Sequence, residues 1–169
     1  MTKCKSFKPS VNKKSKILIL GSMPGVKSLA EQQYYAHPQN RFWKVMSELC
    51  NCDLISIGYN ERLKKLLENG VALWDTIGSC ERKGSLDSDI KKEKPNNIPQ
   101  LLKKYPNIKR IYLNGNKSYS ALKKYFPEIL ADEHYNIYRL PSTSPANAGY
   151  GMKELMNEWK NIIDYEMCP

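Results

Sequence analysis

The segment Gly21–Trp43, GSMPGVKSLAEQQYYAHPQNRFW, concentrates residues that can bind a ligand or take part in chemistry. Gly21 and Gly25 let the backbone approach a ligand closely and present its N–H groups. Tyr35 offers a flat ring of the kind that stacks on a nucleobase. The Asn40 amide can orient a water molecule or contact a base edge, but it cannot abstract a proton at neutral pH.

Each feature also has an ordinary structural explanation. GSMPG alone is equally a tight strand-to-helix turn, and it matches neither the GxxxxGK[ST] nor the GxGxxG phosphate-binding pattern. One of Tyr34 and Tyr35 is expected in the core, His37 is expected to be a structural hydrogen-bonding residue, and an Asn at a helix start is commonly a cap. The individual pieces therefore leave the function open.

A second unusual stretch, LPSTSPANAGYG, begins at Leu140. It places the hydroxyls of Ser142, Thr143 and Ser144 directly after an apolar segment, followed by the rigid Pro145. The same pattern fits an N-terminal cap for the last helix. A serine nucleophile is not indicated, because the GxSxG elbow is missing.

The composition favours a soluble protein with an anionic partner. The 169 residues include 27 Lys and Arg against 17 Asp and Glu, for a net charge of +10. Such a surface suits a polyanion, although it equally suits solubility. No membrane span or signal peptide is indicated, so we expect a cytoplasmic protein, associated with the nucleoid if the source is prokaryotic. The spacing of the five cysteines indicates no metal site.

Hydrophobic periodicity predicts alternating strands and helices. Residues 1–15 are polar and basic and are expected to form a flexible arm, with one domain over residues 16–169. We predict strands at Lys16–Leu20, Val71–Ile77, Arg110–Leu113 and Asn136–Leu140. We predict helices at Asn40–Cys50, Glu61–Asn69, Ile98–Lys104, Ser118–Tyr125 and Met152–Tyr165, with a long loop over Gly78–Asn97.

This alternation predicts an α/β fold with a parallel sheet and helices on both faces. Ligands of such sheets bind beyond the carboxyl ends of the strands. The loops Gly21–Gln39 and Pro141–Gly151 both leave from those ends. We therefore expect them to meet at one site.

Taken together, GSMPG, YYAHPQNRFW and LPSTSPAN resemble the uracil-DNA glycosylase superfamily. The spacing and the segment ALWDTIGSCERKGSLDSDI are most similar to its hypoxanthine-DNA glycosylase branch, which is related to the mismatch-specific uracil/thymine glycosylases. The resemblance covers the chain from about Lys16 onward. It implies a three-layer α/β/α sandwich with four parallel strands, no metal or other cofactor, and a monomer acting on double-stranded DNA that carries a damaged or mismatched base.

The resemblance also implies roles for individual residues. Asn40 takes the catalytic position, and Tyr35 takes the position that stacks on the extruded base. The backbone of the first motif lines the base pocket, and the second motif enters the minor groove of DNA. These motifs comprise Gly21, Ser22, Met23 and Gly25, and Ser142, Thr143, Ser144, Pro145 and Ala146. Lys27 is expected to be a surface lysine, which favours hydrolysis without a covalent intermediate.

Two positions depart from the uracil-excising pattern. Met23 stands where many relatives have a water-holding Asn or Asp, and Leu140 stands where the second motif often has a polar residue. Both fit excision of hypoxanthine better than excision of uracil. They also support the alternative of a catalytically inactive DNA-binding protein. A mismatch-specific uracil/thymine glycosylase is a further alternative, and the missing phosphate-loop motifs argue against an enzyme of small nucleotides.

Overall fold

A parallel sheet of four strands in the order β3-β2-β6-β7 forms the centre of the computed structural model, which describes residues 1–162. The strands are β2 Ile17–Gly21, β3 Val71–Asp75, β6 Arg110–Asn114 and β7 Asn136–Leu140. Strand β2 is buried throughout, as expected for a central strand covered on both faces.

Helices cover both faces of this sheet. The helices are α1 Val26–Glu31, α2 Phe42–Leu49, α3 Tyr59–Glu68, α4 Ile98–Lys104, α5 Asn116–Tyr125, α6 Pro127–Ala131 and α7 Met152–Trp159. Ile17 and Ile19 pack with α2, α3 and α7, whereas Leu18 and Leu20 pack with α4, α5 and α6. The alternation of side chains along β2 thus supplies both cores. The predicted three-layer α/β/α fold is confirmed.

The prediction of a flexible arm over residues 1–15 is wrong for the segment that forms a strand. Strand β1, Thr2–Lys5, pairs antiparallel with β4, Ile77–Arg82. Further along the same segment, Ser10 exchanges backbone hydrogen bonds with Leu73 in the main sheet. The beginning of the chain is therefore fastened to both sheets.

The prediction of a long loop over Gly78–Asn97 is also wrong. This segment contributes β4 and β5, Lys91–Pro95, to a second sheet in the order β1-β4-β5. A short 3-10 turn at Asp87–Asp89 lies between them. Because β4 and β5 are antiparallel and partly exposed, they tolerate polar and charged residues, and neither segment shows the apolar run that marks a buried strand.

The remaining differences concern shorter elements. Helices α1 and α6 were not expected, and α2 begins at Phe42 instead of Asn40. The end of the predicted helix Met152–Tyr165 lies outside the described residues, but its expected apolar face, Leu155, Trp159 and Ile162, is fully buried. Within residues 1–162, no helix is both long enough and apolar enough to cross a membrane.

Candidate active site

The loops that follow β2 and β7 line one cavity of about 740 Å³. All of the site residues expected from the sequence border it: Gly21, Ser22, Met23, Gly25, Tyr35, Asn40, Ser142, Thr143, Ser144, Pro145 and Ala146. The prediction that the two loops meet at the carboxyl end of the sheet is confirmed. Their convergence follows from the parallel pairing of β2 with β6 and of β6 with β7.

The Gly21 position brings backbone, carboxyl and hydroxyl groups together at the floor of the cavity. In the register of β2 and β3, Gly21 lies beside Asp75. A Cβ atom added at Gly21 would lie 2.6 Å from Asp75 Oδ1 and 3.4 Å from the Tyr35 hydroxyl. Only a residue without a side chain leaves these two polar groups in place.

Tyr35 is held in an unusual position. Its φ of 55° lies in the left-handed region, which is uncommon for a bulky residue and is typical of functional sites. Its ring stacks on Phe42, with 3.9 Å between ring centroids and 20° between ring planes. Tyr34, by contrast, is buried in the core, as expected for one member of the pair.

The Tyr35 hydroxyl is buried and forms no hydrogen bond of standard geometry with the described residues. The Asn114 side chain is a polar neighbour. Burial, and after it the charge of Asp75, raise the pKa of Tyr35 above its ordinary value. The hydroxyl is therefore neutral, and it keeps a hydrogen that it can donate.

Asn40 is oriented by the start of helix α2. Its Oδ1 atom accepts a hydrogen bond from the Phe42 N–H at 3.0 Å. Because a backbone N–H can only donate, this contact fixes the carbonyl oxygen toward the helix. The amide NH2 is consequently the end of Asn40 that is available to a bound molecule. The structural and the catalytic interpretation of Asn40 thus use different atoms of one side chain.

The second loop is anchored by Asn114, a residue that the sequence did not single out. Asn114 Nδ2 donates to Thr143 Oγ1 at 3.1 Å, and the Thr143 N–H donates to Asn114 Oδ1 at 3.0 Å. The expectation that the Thr143 side chain contacts DNA is therefore not supported, since this side chain is fully buried and holds the loop. Pro145 and Ala146 are exposed at the tip, where a duplex can reach them.

Arg41 ties the second loop to the segment that carries Asn40. Its guanidinium donates to the carbonyl oxygens of Ser144, Asn147 and Tyr150. Its backbone N–H donates to the Thr143 carbonyl at 3.1 Å. A planar group with five donors suits such a fan of carbonyl oxygens.

Asp75 is a functional candidate that sequence reasoning missed. The side chain is 4% exposed, and its Oδ2 accepts a hydrogen bond from Ser6 Oγ at 3.0 Å. Burial raises the pKa of Asp75 to about 7, and the nearby Asp87 adds to the rise. Its place at the end of a strand was the available signal, but the strand was predicted to run past it to Ile77.

The segment after β4 forms the third wall of the cavity. Asp87 Oδ1 accepts from Ser22 Oγ at 2.7 Å, and Ser85 Oγ accepts from the Val26 N–H at 2.9 Å. The buried Arg82 guanidinium donates to the Pro24 carbonyl. Burial raises the pKa of Asp87. These contacts fix the shape of the Gly21–Gly25 turn.

Met23 and Leu140, the two residues that depart from the uracil-excising pattern, make apolar contacts. Met23 is 6% exposed and packs with Ile77 and Cys80, and Leu140 is 3% exposed and packs in the core of the α2 and α7 face. His37 accepts a hydrogen bond from the Gln39 N–H, as expected of a structural histidine. No cluster of three metal-ligating side chains occurs within residues 1–162.

The α/β/α fold is that of a known class. The chain belongs to the uracil DNA glycosylase superfamily, whose family model matches residues 9–163. It is 39% identical over 145 residues to the hypoxanthine DNA glycosylase of Methanosarcina barkeri, covering 86% of this chain and 89% of the relative. It is 34% identical over 159 residues to the hypoxanthine DNA glycosylase of Methanosarcina acetivorans, covering 94% of this chain and 97% of that relative.

A solved structure agrees with this assignment. The solution NMR structure of a protein from Methanosarcina acetivorans, described as a candidate uracil DNA glycosylase, superposes with a TM-score of 0.82 at 32% identity. The match covers 95% of this chain and 96% of the other. The resemblance inferred from the sequence motifs is thus confirmed at the level of the family.

Proposed function

We propose that this protein is a monofunctional DNA glycosylase that extrudes hypoxanthine from double-stranded DNA and hydrolyses its glycosidic bond, leaving an abasic site. The observation that carries this proposal is the cavity itself, which joins a glycine backbone, a buried carboxyl, an aromatic hydroxyl and an oriented amide. The names of the relatives at 39% and 34% identity support hypoxanthine as the base.

The base must leave the duplex before any of these groups can reach it. Extrusion costs a few kcal/mol, and the cost is lower at a mismatched or damaged pair. The cavity of about 740 Å³ is within the usual size range of small-molecule pockets. Tyr35, backed by Phe42, lines it with a fixed ring. In this proposal the exposed tip of the second loop, Pro145 and Ala146, fills the space left in the duplex.

Cleavage of the bond leaves negative charge on the departing base. Hypoxanthine presents acceptors at O6, N3 and N7, so donors at the cavity floor stabilise the charge that develops there. Tyr35 supplies a hydroxyl donor, and Asp75 supplies a second one when its carboxyl is neutral. An ionised Asp75 would repel the same charge.

In this mechanism Asn40 holds the water molecule that attacks the sugar. Its NH2 group donates, so it can hold a water oxygen near the anomeric carbon of the sugar. It need not remove the proton, because a developing sugar cation is electrophilic enough for a neutral water. Lys27 borders the cavity, but its ammonium is paired with Glu31 at 2.7 Å, which supports hydrolysis without a lysine adduct.

The test uses two duplex oligonucleotides, one with a single deoxyinosine and one with a single deoxyuridine. After incubation and alkali, we expect strand breaks at deoxyinosine and fewer at deoxyuridine. Borohydride should trap no covalent complex with DNA. Binding without breaks at either base would instead support the inactive DNA-binding protein, for which Met23 and Leu140 are the specific evidence. Preferential cleavage at deoxyuridine would support a mismatch-specific uracil/thymine glycosylase.

A further inference from the structure

A second groove adjoins the base cavity, between helix α5 and the end of strand β7. It has a volume of about 630 Å³. Asn116, Lys117 and Arg139 line both the groove and the base cavity, so the two are continuous.

The groove is strongly cationic. Lys117, Lys123, Lys124 and Arg139 line it, and none of its lining residues is acidic. The neighbouring Glu93 pairs with Lys117 at 2.5 Å and with Lys124 at 3.2 Å. Within residues 1–162, Lys123 and Arg139 form no ion pair, so their charges are available to an anion from outside.

Arg139 is already oriented for such an anion. Its Nε and Nη2 atoms donate to Asn116 Oδ1 at 2.9 and 2.6 Å. Its guanidinium also lies over the ring of Tyr119, with Cζ 5.2 Å from the ring centroid. Both partners are neutral, so they position the guanidinium without cancelling its charge. A pre-oriented guanidinium loses less side-chain entropy when it binds a phosphate.

The position of Arg139 in the chain connects the groove to the second loop. Arg139 directly precedes Leu140 on β7, an edge strand of the sheet, and the loop begins at Pro141. A DNA strand that contacts the second loop would therefore lie next to Arg139. Lys123 extends the same positive surface further along α5.

We propose that this groove, which we call the α5–β7 groove, binds the phosphodiester backbone of the nucleotides on one side of the extruded base. The inference rests on the proposed function, because it needs a DNA strand that enters the base cavity. Phosphate contacts of this kind fix the register of a protein on DNA without reading its sequence. The groove would thereby align the damaged nucleotide with the cavity.

The test uses duplexes with one tetrahydrofuran abasic analogue, which cannot be excised. One duplex is full length, and two others are shortened on the 5′ or the 3′ side of the analogue. Affinity is measured by fluorescence anisotropy over a range of salt concentrations. The variant is Lys123→Ala/Arg139→Ala. The control is Lys64→Ala/Lys103→Ala, which removes two equally exposed charges from α3 and α4.

We expect the groove variant to reduce the slope of log affinity against log salt by about two, one for each lost phosphate contact. The control should reduce it far less. Shortening the duplex on one of the two sides should lower its affinity for the wild-type protein. The same shortening should change its affinity for the groove variant very little. The single variant Lys123→Glu, at an exposed position, should change the slope in the same direction.

Two results would overturn the proposal. One is a groove variant whose slope of log affinity against log salt equals that of the wild type. The other is a groove variant whose affinity falls as much as that of the wild type when the duplex is shortened. Because the abasic analogue needs no excision, both results are independent of activity. If shortening the duplex has the expected effects but the wild-type protein does not cleave at deoxyinosine, the proposed function is refuted and the role of the groove in DNA binding is supported.

Discussion

Gly21 and Asp75 lie side by side on the parallel strands β2 and β3, and the Asp75 Oδ1 atom occupies the space beside the Gly21 α-carbon. The absence of a side chain at one position thus makes room for a carboxyl at the other. This pair forms the floor of the cavity, with the Tyr35 hydroxyl next to it. The first motif is therefore more than a turn, because its first glycine makes room for a buried carboxyl group beside the cavity.

Replacing Gly21 with alanine tests this relationship. The added methyl group would lie 2.6 Å from Asp75 Oδ1 and must displace the carboxyl. We expect Gly21→Ala to lower the free energy of unfolding by about 1–3 kcal/mol and to abolish excision of hypoxanthine. Thermal denaturation and single-turnover excision measure the two effects. Gly58→Ala is the matched control, because nothing lies within 4 Å of its added Cβ. If Gly21→Ala excised hypoxanthine at the wild-type rate, the position of the Asp75 carboxyl beside Gly21 would not matter for activity.

The excision rate should depend on the protonation of Asp75. Burial raises the pKa of Asp75 to about 7, so the neutral carboxyl, which can donate to the departing base, predominates below that pH. We expect the single-turnover rate to fall as the pH rises through about 7. The variant Asp75→Asn donates at every pH, so its profile should lack this inflection. An identical inflection in both proteins would assign it to another group.

The same carboxyl predicts the pH dependence of stability. The pKa of Asp75 is higher in the folded than in the unfolded state, so the folded protein binds more protons between about pH 4 and 7. Its contribution to stability is present below that interval and is lost as the pH rises through about 7. The melting temperature of Asp75→Asn relative to wild type should therefore increase from pH 4 to pH 8. A constant difference would show that the carboxyl titrates normally.

Tyr35→Phe separates the ring from the hydroxyl. The ring and its stacking on Phe42 remain, but the buried hydroxyl without a standard hydrogen bond is removed. Because such a hydroxyl contributes little to folding, we expect unchanged or slightly higher thermal stability. Excision should fall roughly tenfold, the equivalent of one hydrogen bond of about 1.4 kcal/mol. An unchanged rate would leave only a packing role for Tyr35.

Three strands of the central sheet, β2, β3 and β6, were predictable because they are short and mostly apolar. The strand Asn136–Leu140 and the helix Ile98–Lys104 were predicted with the bounds that the structure has. In each case the signal lies within the segment itself. The convergence of the two loops followed from topology alone, because parallel strands end at the same edge of the sheet.

The second sheet was missed because β1 pairs with the distant β4 and because β5 consists mainly of lysine and glutamate residues. Thr2–Lys5 and Lys91–Pro95 both flank β4, and neither segment has an apolar alternation of its own. A polar segment becomes a strand here only when a partner supplies its hydrogen bonds. Arg82 was missed for the same reason, since burial of a charged residue depends on this nonlocal packing.

Asn40 provides the last prediction, because its two amide atoms have separate tasks. Asn40→Ala removes the acceptor of the Phe42 N–H and should cost about 1 kcal/mol of unfolding free energy. Asn40→Asp retains that acceptor and should fold as stably as wild type. Both variants lack the NH2 donor, so both should lower turnover by roughly 10²–10³-fold while binding the abasic analogue nearly as well. Wild-type turnover by Asn40→Asp would show that the amide donor is not needed. Wild-type turnover by Asn40→Ala would reduce Asn40 to a helix-capping residue.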